Sequence, residues 1–113
     1  MYGLDNEELQ LMRRIFGQTP HLKQVILYGS RAKGNYKPFS DIDITLPGEE
    51  LNDDDLTDIM GRLEESSLPY FRDVSLFANI SNPALASHIQ HVGKTIYSST
   101  HQLSYFTNKT LNT

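Results

Sequence analysis

Cysteine is absent from this 113-residue sequence, and so are long apolar runs. Without cysteine there is no disulfide framework, thiol nucleophile or cysteine-based zinc site, which leaves Asp, Glu and His as metal ligands. No apolar run approaches the roughly 20 residues of a membrane-spanning helix, and Met1 to Asn6 lacks the basic start and apolar stretch of a secretion signal. We therefore expect a cytoplasmic protein without a membrane segment.

Basic residues are outnumbered by acidic ones. Ten Lys and Arg against fourteen Asp and Glu give a formal net charge of -4. A surface that coats nucleic acid works by neutralising phosphates, and this charge balance argues against one. We expect no direct nucleic-acid binding, so any phosphate that the protein handles must be bound locally.

Hydrophobic periodicity predicts an α/β fold in which helices alternate with strands. The predicted elements are a helix from Asp5 to Gly17, strands over 24–28, 41–46 and 71–80, a helix that starts at the acidic run 53–55, and a last helix from Asn82 to about Gln90. The chain has the length of one domain. The stretch 98–113 is polar and weakly periodic, so we expect a domain over 1–97 followed by a C-terminal tail.

A glycine and a serine directly follow the first predicted strand. Gly29 permits a tight turn, in which exposed backbone N–H groups and the Ser30 hydroxyl can receive phosphate oxygens. Arg31 and Lys33 come next and fit as counter-charges to a triphosphate. These four residues form the predicted phosphate-binding turn.

Two acids stand two positions apart on the second predicted strand. Asp41 and Asp43 leave one face of that strand, while Ile42 enters the core on the other. Two parallel carboxylates repel each other unless a divalent cation lies between them, and their hard oxygens suit Mg²⁺ or Mn²⁺. Asp73, in the otherwise apolar alternation of the third strand, is the candidate third ligand. Three converging carboxylates can hold two metal ions for nucleotidyl transfer.

In this combination the sequence resembles the nucleotidyltransferase superfamily related to DNA polymerase beta, and within it the minimal nucleotidyltransferases, or MNT-domain proteins. Gly29 and Ser30 match the phosphate-binding pair of that family, Asp41 and Asp43 its metal-binding pair, and Asp73 its third acid. The resemblance implies a nucleotidyltransferase fold, a small mixed sheet flanked by helices like the palm of polymerase beta. It also implies ATP as substrate, with two Mg²⁺ ions, or Mn²⁺, as cofactors.

The resemblance further implies a protein partner. Larger members of the superfamily add a helical domain, whereas MNT proteins act with a separate helical HEPN-domain protein, which is either a toxic ribonuclease or a substrate-binding subunit. We therefore expect a hetero-oligomer. The favoured interpretation is the antitoxin of a type VII-like HEPN/MNT toxin–antitoxin system, which transfers AMP from ATP to a tyrosine of the toxin. Two alternatives stay open: a nucleotide-binding subunit that acts with its partner on a small molecule, and an antitoxin that works by binding alone.

Two histidines lie three positions apart near the end of the last predicted helix. The spacing of His88 and His91 would let both hold one metal ion. The favoured interpretation is a solvated helix end, where an imidazole suits the negative end of the helix dipole. We therefore assign neither histidine to the site.

Overall fold

The computed structural model describes residues 1–99, in which helices and strands alternate along the chain. In chain order the elements are α1 (Asn6–Phe16), β1 (Gln24–Tyr28), α2 (Gly29–Lys33), β2 (Ile42–Leu46), α3 (Asp53–Glu65), β3 (Arg72–Leu76), α4 (Pro83–Val92) and β4 (Lys94–Ser98). A short 3₁₀ turn, Phe77–Asn79, follows β3. This order confirms the predicted α/β class.

The four strands form one mixed sheet in the order β3-β2-β1-β4. Strand β1 is antiparallel to both β2 and β4, whereas β2 and β3 are parallel. Parallel neighbours need a crossover connection, and α3 provides it. The register places Tyr28 beside Asp43 and Asp43 beside Asp73, so one row of side chains crosses three strands.

One face of the sheet carries the hydrophobic core. In β2, Ile42 and Ile44 are fully buried, whereas Asp43 between them is half-buried. Because strand side chains alternate, Asp43 lies on the face opposite to the two isoleucines. The helical residues of the core cluster come from α1, α2 and α3 and are Leu9, Met12, Ile15, Phe16, Ala32, Ile59 and Leu63. Helix α4 packs against β1 and α2 and reaches the Asp43 face.

Reciprocal caps fix where the two longest helices begin. The Asp5 carboxylate accepts from the Glu8 N–H at 2.8 Å, and the Glu8 carboxylate accepts from the Asp5 N–H at 3.0 Å. Asn52 and Asp55 make the same exchange at the start of α3. Such pairs satisfy donors that a helix start leaves free. The acidic run 53–55 is therefore the first turn of α3, as predicted.

The structure differs from the sequence prediction at the ends of two strands. Strand β2 begins at Ile42, so Asp41 lies just before it rather than within it. Strand β3 ends at Leu76, because the chain then tightens into the 3₁₀ turn instead of extending to residue 80. Both corrections leave Asp43 and Asp73 in place at the same register.

A fourth strand is present that the periodicity does not predict. In β4 only Ile96 is buried, so this edge strand shows no clear apolar alternation. The predicted tail, 98–113, begins inside it, since Ser98 is the last residue of β4, and residues 100–113 lie outside the described part of the chain. No helix within residues 1–99 is both long enough and apolar enough to cross a membrane.

Candidate nucleotide-transfer site

The chain turns sharply from β1 into α2 at Gly29. Its φ of 77° lies in the left-handed region, which side-chain-bearing residues rarely adopt. A Cβ atom at this position would also overlap Oδ2 of Asp43. Glycine is therefore required both by the backbone conformation and by the close approach of the carboxylate. The predicted phosphate-binding turn and Asp43, one of the three predicted acids, are therefore brought into direct contact.

Asp43 is the centre of the row of side chains that crosses the sheet. Its neighbours in register are Tyr28 on β1 and Asp73 on β3, and cross-strand neighbours extend to the same side. Asp73 and Asp41 are exposed, whereas Asp43 is half-buried and Tyr28 is buried. Sequence reasoning gives Tyr28 only a place in the strand and misses that its ring borders the acids.

The acids repel one another electrostatically. Burial raises the pKa of the Asp43 carboxyl above its usual range, and the negative charges of Asp73 and Asp41 raise it further. Burial likewise raises the pKa of the Tyr28 hydroxyl, with Asp73 and then Asp43 adding to the rise. Ionising Asp43 or Tyr28 is therefore costly, and a bound cation would reduce the cost.

The carboxylates of the three predicted acids suit a hard divalent cation. Carboxylate oxygens such as those of Asp41, Asp43 and Asp73 are the ligands that Mg²⁺ and Mn²⁺ prefer. Among residues 1–99, no three Asp, Glu, His or Cys side chains already stand close enough together to hold a metal ion. The residues fit such an ion by chemistry and charge, and the convergence of all three carboxylates on it stays a prediction.

Arg31 lies in a different environment from the one that its predicted role requires. The side chain is 1% exposed, its Nε and Nη2 donate to the Ser40 carbonyl at 3.1 and 2.7 Å, and its Nη1 donates to the Tyr2 carbonyl at 2.9 Å. The guanidinium carbon also lies 4.5 Å from the centre of the Tyr70 ring. Each of its three nitrogens therefore donates to a backbone carbonyl, and the side chain ties the loop before Asp41 to the N-terminal segment.

Two other predicted phosphate-binding side chains stay accessible. Ser30 follows Gly29 in the first turn of α2 and is half-buried. Lys33 is the last residue of α2 and is exposed. Both lie on the short helix that leaves the Gly29 turn, and their contact with a phosphate stays a prediction.

His88 reaches the phosphate turn from α4. The Gly29 N–H donates to His88 Nε2 at 3.3 Å, and the imidazole meets the Tyr28 ring edge-on with 6.2 Å between ring centres. His91 instead has its Nδ1 2.7 Å from the Ser87 carbonyl of its own helix. The two histidines therefore neither share one site nor form a uniformly solvated helix end. Their spacing in sequence gives no signal of this, because the contact depends on how α4 packs on β1.

Three of the solved structures that share this fold come from toxin–antitoxin systems. A chain in the crystal structure of a toxin–antitoxin complex with AMP-PNP is 21% identical with a TM-score of 0.65, over 92% of this chain and 84% of that one. A chain in a mutant MntA–HpeT complex is 22% identical with a TM-score of 0.61, over 96% and 86% of the two chains. A third, from the tri-AMPylated Shewanella oneidensis HEPN toxin in complex with an MNT antitoxin, is 20% identical with a TM-score of 0.57, over 92% and 84%. At these identities the likeness shows the fold.

Family membership comes from the sequence itself. No curated protein sequence matches this chain significantly. The family model described as polymerase beta, nucleotidyltransferase matches residues 10–102, which contain the Gly29 turn and all three acids. This match confirms the superfamily to which the motifs are similar, and the mixed sheet flanked by helices confirms the predicted architecture. The chain belongs to the polymerase beta family of nucleotidyltransferases.

Proposed function

We propose that this protein is a metal-dependent adenylyltransferase that moves AMP from ATP to a tyrosine of a helical HEPN-domain partner, as the antitoxin of a HEPN/MNT pair. The observation that carries the proposal is the direct contact between the Gly29 turn and Asp43, with Asp73 next in register. Family membership supports the reaction class. The similar complexes that contain AMP-PNP and an AMPylated HEPN toxin support the nucleotide and the acceptor.

Different residues of the chain bind the phosphates, hold the divalent ions and accept the proton of the attacking hydroxyl. The Gly29 N–H donates to His88, so the backbone N–H and the hydroxyl of Ser30 hold phosphate oxygens, with Lys33 as the nearby positive charge. Asp41 and Asp43 are the ligands for divalent ions, which when bound would activate the attacking hydroxyl and neutralise the leaving group. Asp73 is a further ligand and takes the proton of that hydroxyl.

The transfer itself is a single displacement at phosphorus. The phenolic oxygen of the acceptor tyrosine forms a bond to the α-phosphorus of ATP, and the bond from that phosphorus to the oxygen bridging to the β-phosphate breaks. Pyrophosphate leaves with the electron pair of the broken bond, and the phenol proton passes to the Asp73 carboxylate. Such a reaction depends on holding the attacking oxygen in line with the leaving group.

The partner supplies the acceptor and the second wall of the cleft. Asp41 and Asp73 are exposed, so the acids lie on an open sheet face that an acceptor can approach. A helical protein docked over this face would place its tyrosine against the α-phosphate. The functional unit is therefore a hetero-oligomer, which works in the cytoplasm where ATP is supplied, and the isolated chain is a weak catalyst.

Mass spectrometry of the partner tests the proposal. After incubation with this chain, ATP and Mg²⁺, a co-encoded HEPN protein should gain one or more AMP units on tyrosine. The double variant Asp41→Asn with Asp43→Asn should add none. A matched control carries the same charge change at Asp53 and Asp54 in the first turn of α3, and it should modify the partner as the wild type does.

If the partner gains no AMP, its activity separates the two alternative functions. A partner that is inhibited yet carries no AMP would contradict transfer and favour neutralisation by binding alone. A partner that is neither modified nor inhibited would contradict the protein acceptor and favour a small-molecule acceptor held by the partner.

A further inference from the structure

We propose that His88 is a positioning residue that holds the Gly29 turn in its phosphate-binding conformation, through the hydrogen bond that its Nε2 accepts from the Gly29 N–H. The inference rests on the proposed function, because it assigns the turn to ATP. It adds His88 of α4 to the site. This residue belongs neither to the sequence motifs nor to the row of side chains formed by Tyr28, Asp43 and Asp73.

The imidazole is held by a well-anchored helix. Helix α4 begins at a cap in which Asn82 Oδ1 accepts from the N–H groups of Ala84 and Leu85 at 2.9 and 3.2 Å. Ile89, the residue after His88, is buried, and α4 packs against both β1 and α2. His88 itself is half-buried, with its ring edge-on to Tyr28. The acceptor nitrogen is therefore fixed relative to the turn.

Gly29 needs such an external restraint. Glycine has the widest backbone freedom of any residue, so a turn built on it is costly to order. A side chain cannot provide the restraint at this position, because Asp43 Oδ2 occupies the space that a Cβ would fill. The Gly29 N–H group can provide the restraint instead. Its hydrogen bond to an acceptor fixes the plane of the peptide between Tyr28 and Gly29. Together with φ and ψ of Gly29, that plane sets the direction of the next N–H, which belongs to Ser30.

The role predicts a specific kinetic pattern. When the competent turn is only partly populated, the apparent affinity for ATP is the intrinsic affinity multiplied by the populated fraction, whereas bound phosphate restores the turn. Loss of one hydrogen bond, of about 0.5 to 1.5 kcal/mol, corresponds to a rise of about 2- to 12-fold in the KM for ATP. The kcat of AMP transfer should change little.

Two substitutions separate the acceptor from the ring. His88→Phe keeps an aromatic ring beside Tyr28 and removes the acceptor, whereas His88→Gln keeps an acceptor oxygen and removes the ring. We expect the higher KM in His88→Phe and a return toward the wild-type value in His88→Gln. His91→Phe is the matched control, since His91 lies on the same helix and its Nδ1 contacts its own Ser87 carbonyl. Should His88→Phe fail to fold, His88→Ala carries the same expectation.

The experiment uses the full chain with its HEPN partner for kinetics, and the full chain alone for amide NMR and ATP titration. We expect the Gly29 amide signal to shift in His88→Phe, to recover in His88→Gln and to stay in place in His91→Phe. A wild-type KM together with an unmoved Gly29 amide in His88→Phe would overturn the role of His88. If the wild type transfers no AMP, the proposed function fails instead, and the amide shift and ATP affinity of the variants still decide the role of His88.

Discussion

The carboxylate of Asp43 lies against the Cα of Gly29, so closely that a methyl group on residue 29 would overlap Oδ2. Gly34, at the other end of α2, also has a positive φ, of 88°, but no atom lies within 4 Å of the position that its Cβ would take. A comparison of alanine variants at Gly29 and Gly34 therefore separates the effect of backbone strain from the effect of contact with the acid.

Alanine at either glycine should cost stability, and only alanine at Gly29 should cost activity. A left-handed backbone costs a residue with a side chain about 1 to 2 kcal/mol, so we expect the free energy of unfolding to fall by that amount in Gly34→Ala. Gly29→Ala should lose more, and its rate of AMP transfer should fall by at least about tenfold, since Asp43 must move. Denaturant unfolding and a transfer assay measure both effects. Equal transfer by the two variants would contradict the assigned contact.

The charge on Asp43 should reduce stability at neutral pH. Its pKa is raised in the folded protein, so between the ordinary Asp value of about 3.9 and the raised value the folded state binds more protons than the unfolded state. Stability is therefore lost as pH rises through the raised pKa. We expect Asp43→Asn to unfold at a higher temperature than the wild type at pH 7, with a difference that shrinks as the pH falls through the raised pKa and that disappears below about 4. A variant that is less stable than the wild type at every pH would contradict the origin given for the shift.

A divalent ion should relieve the same repulsion. Because Mg²⁺ would bind the folded site and not the unfolded chain, it should raise the unfolding temperature of the wild type. The double variant Asp41→Asn with Asp43→Asn should show no such rise, whereas neutralising Asp53 and Asp54 in α3 should leave it intact. Thermal unfolding with and without Mg²⁺ measures this. An equal rise in both double variants would show that the ion binds elsewhere.

Substitution of Arg31 should lower stability, whereas substitution of Lys33 should raise the KM for ATP. Arg31→Lys keeps the charge and loses the fork that reaches the Ser40 and Tyr2 carbonyls, so we expect the free energy of unfolding to fall by about 2 to 3 kcal/mol. Lys33→Ala removes an exposed side chain and should leave stability nearly unchanged while raising the KM for ATP. Unfolding and steady-state kinetics on the two variants test this difference. A stable Arg31→Lys protein with a raised KM would support the predicted phosphate role of Arg31.

Local patterns in the sequence are sufficient to predict which face of the sheet is buried and which positions carry the acids. The alternation of Ile42 and Ile44 with Asp43 predicts which side of β2 is buried, because a strand has a period of two. The isolated acid in β3 predicts Asp73 in the same way. Strand β4 is not predictable on these grounds, since an edge strand with Ile96 as its one buried residue carries no alternation.

Contacts between distant parts of the chain are not readable from such patterns. The Arg31 guanidinium binds the Tyr2 carbonyl 29 positions away, and His88 accepts from Gly29 across 59 positions. An arginine after a Gly-Ser pair has the composition of a phosphate ligand, and only its burial shows that its donors are used by backbone carbonyls. Helix periodicity likewise indicates that α4 is amphipathic without indicating which strand it covers.

The transfer of AMP, rather than phosphate, is the central claim, and the position of a radioactive label tests it most directly. The chain is incubated with its HEPN partner, Mg²⁺ and ATP labelled on either the α- or the γ-phosphate, and the label is followed into protein. We expect the partner to acquire the α-label and not the γ-label, and the Asp41→Asn, Asp43→Asn double variant to transfer neither. Incorporation of the γ-label, or equal incorporation of the α-label by the double variant, would contradict nucleotidyl transfer at this site.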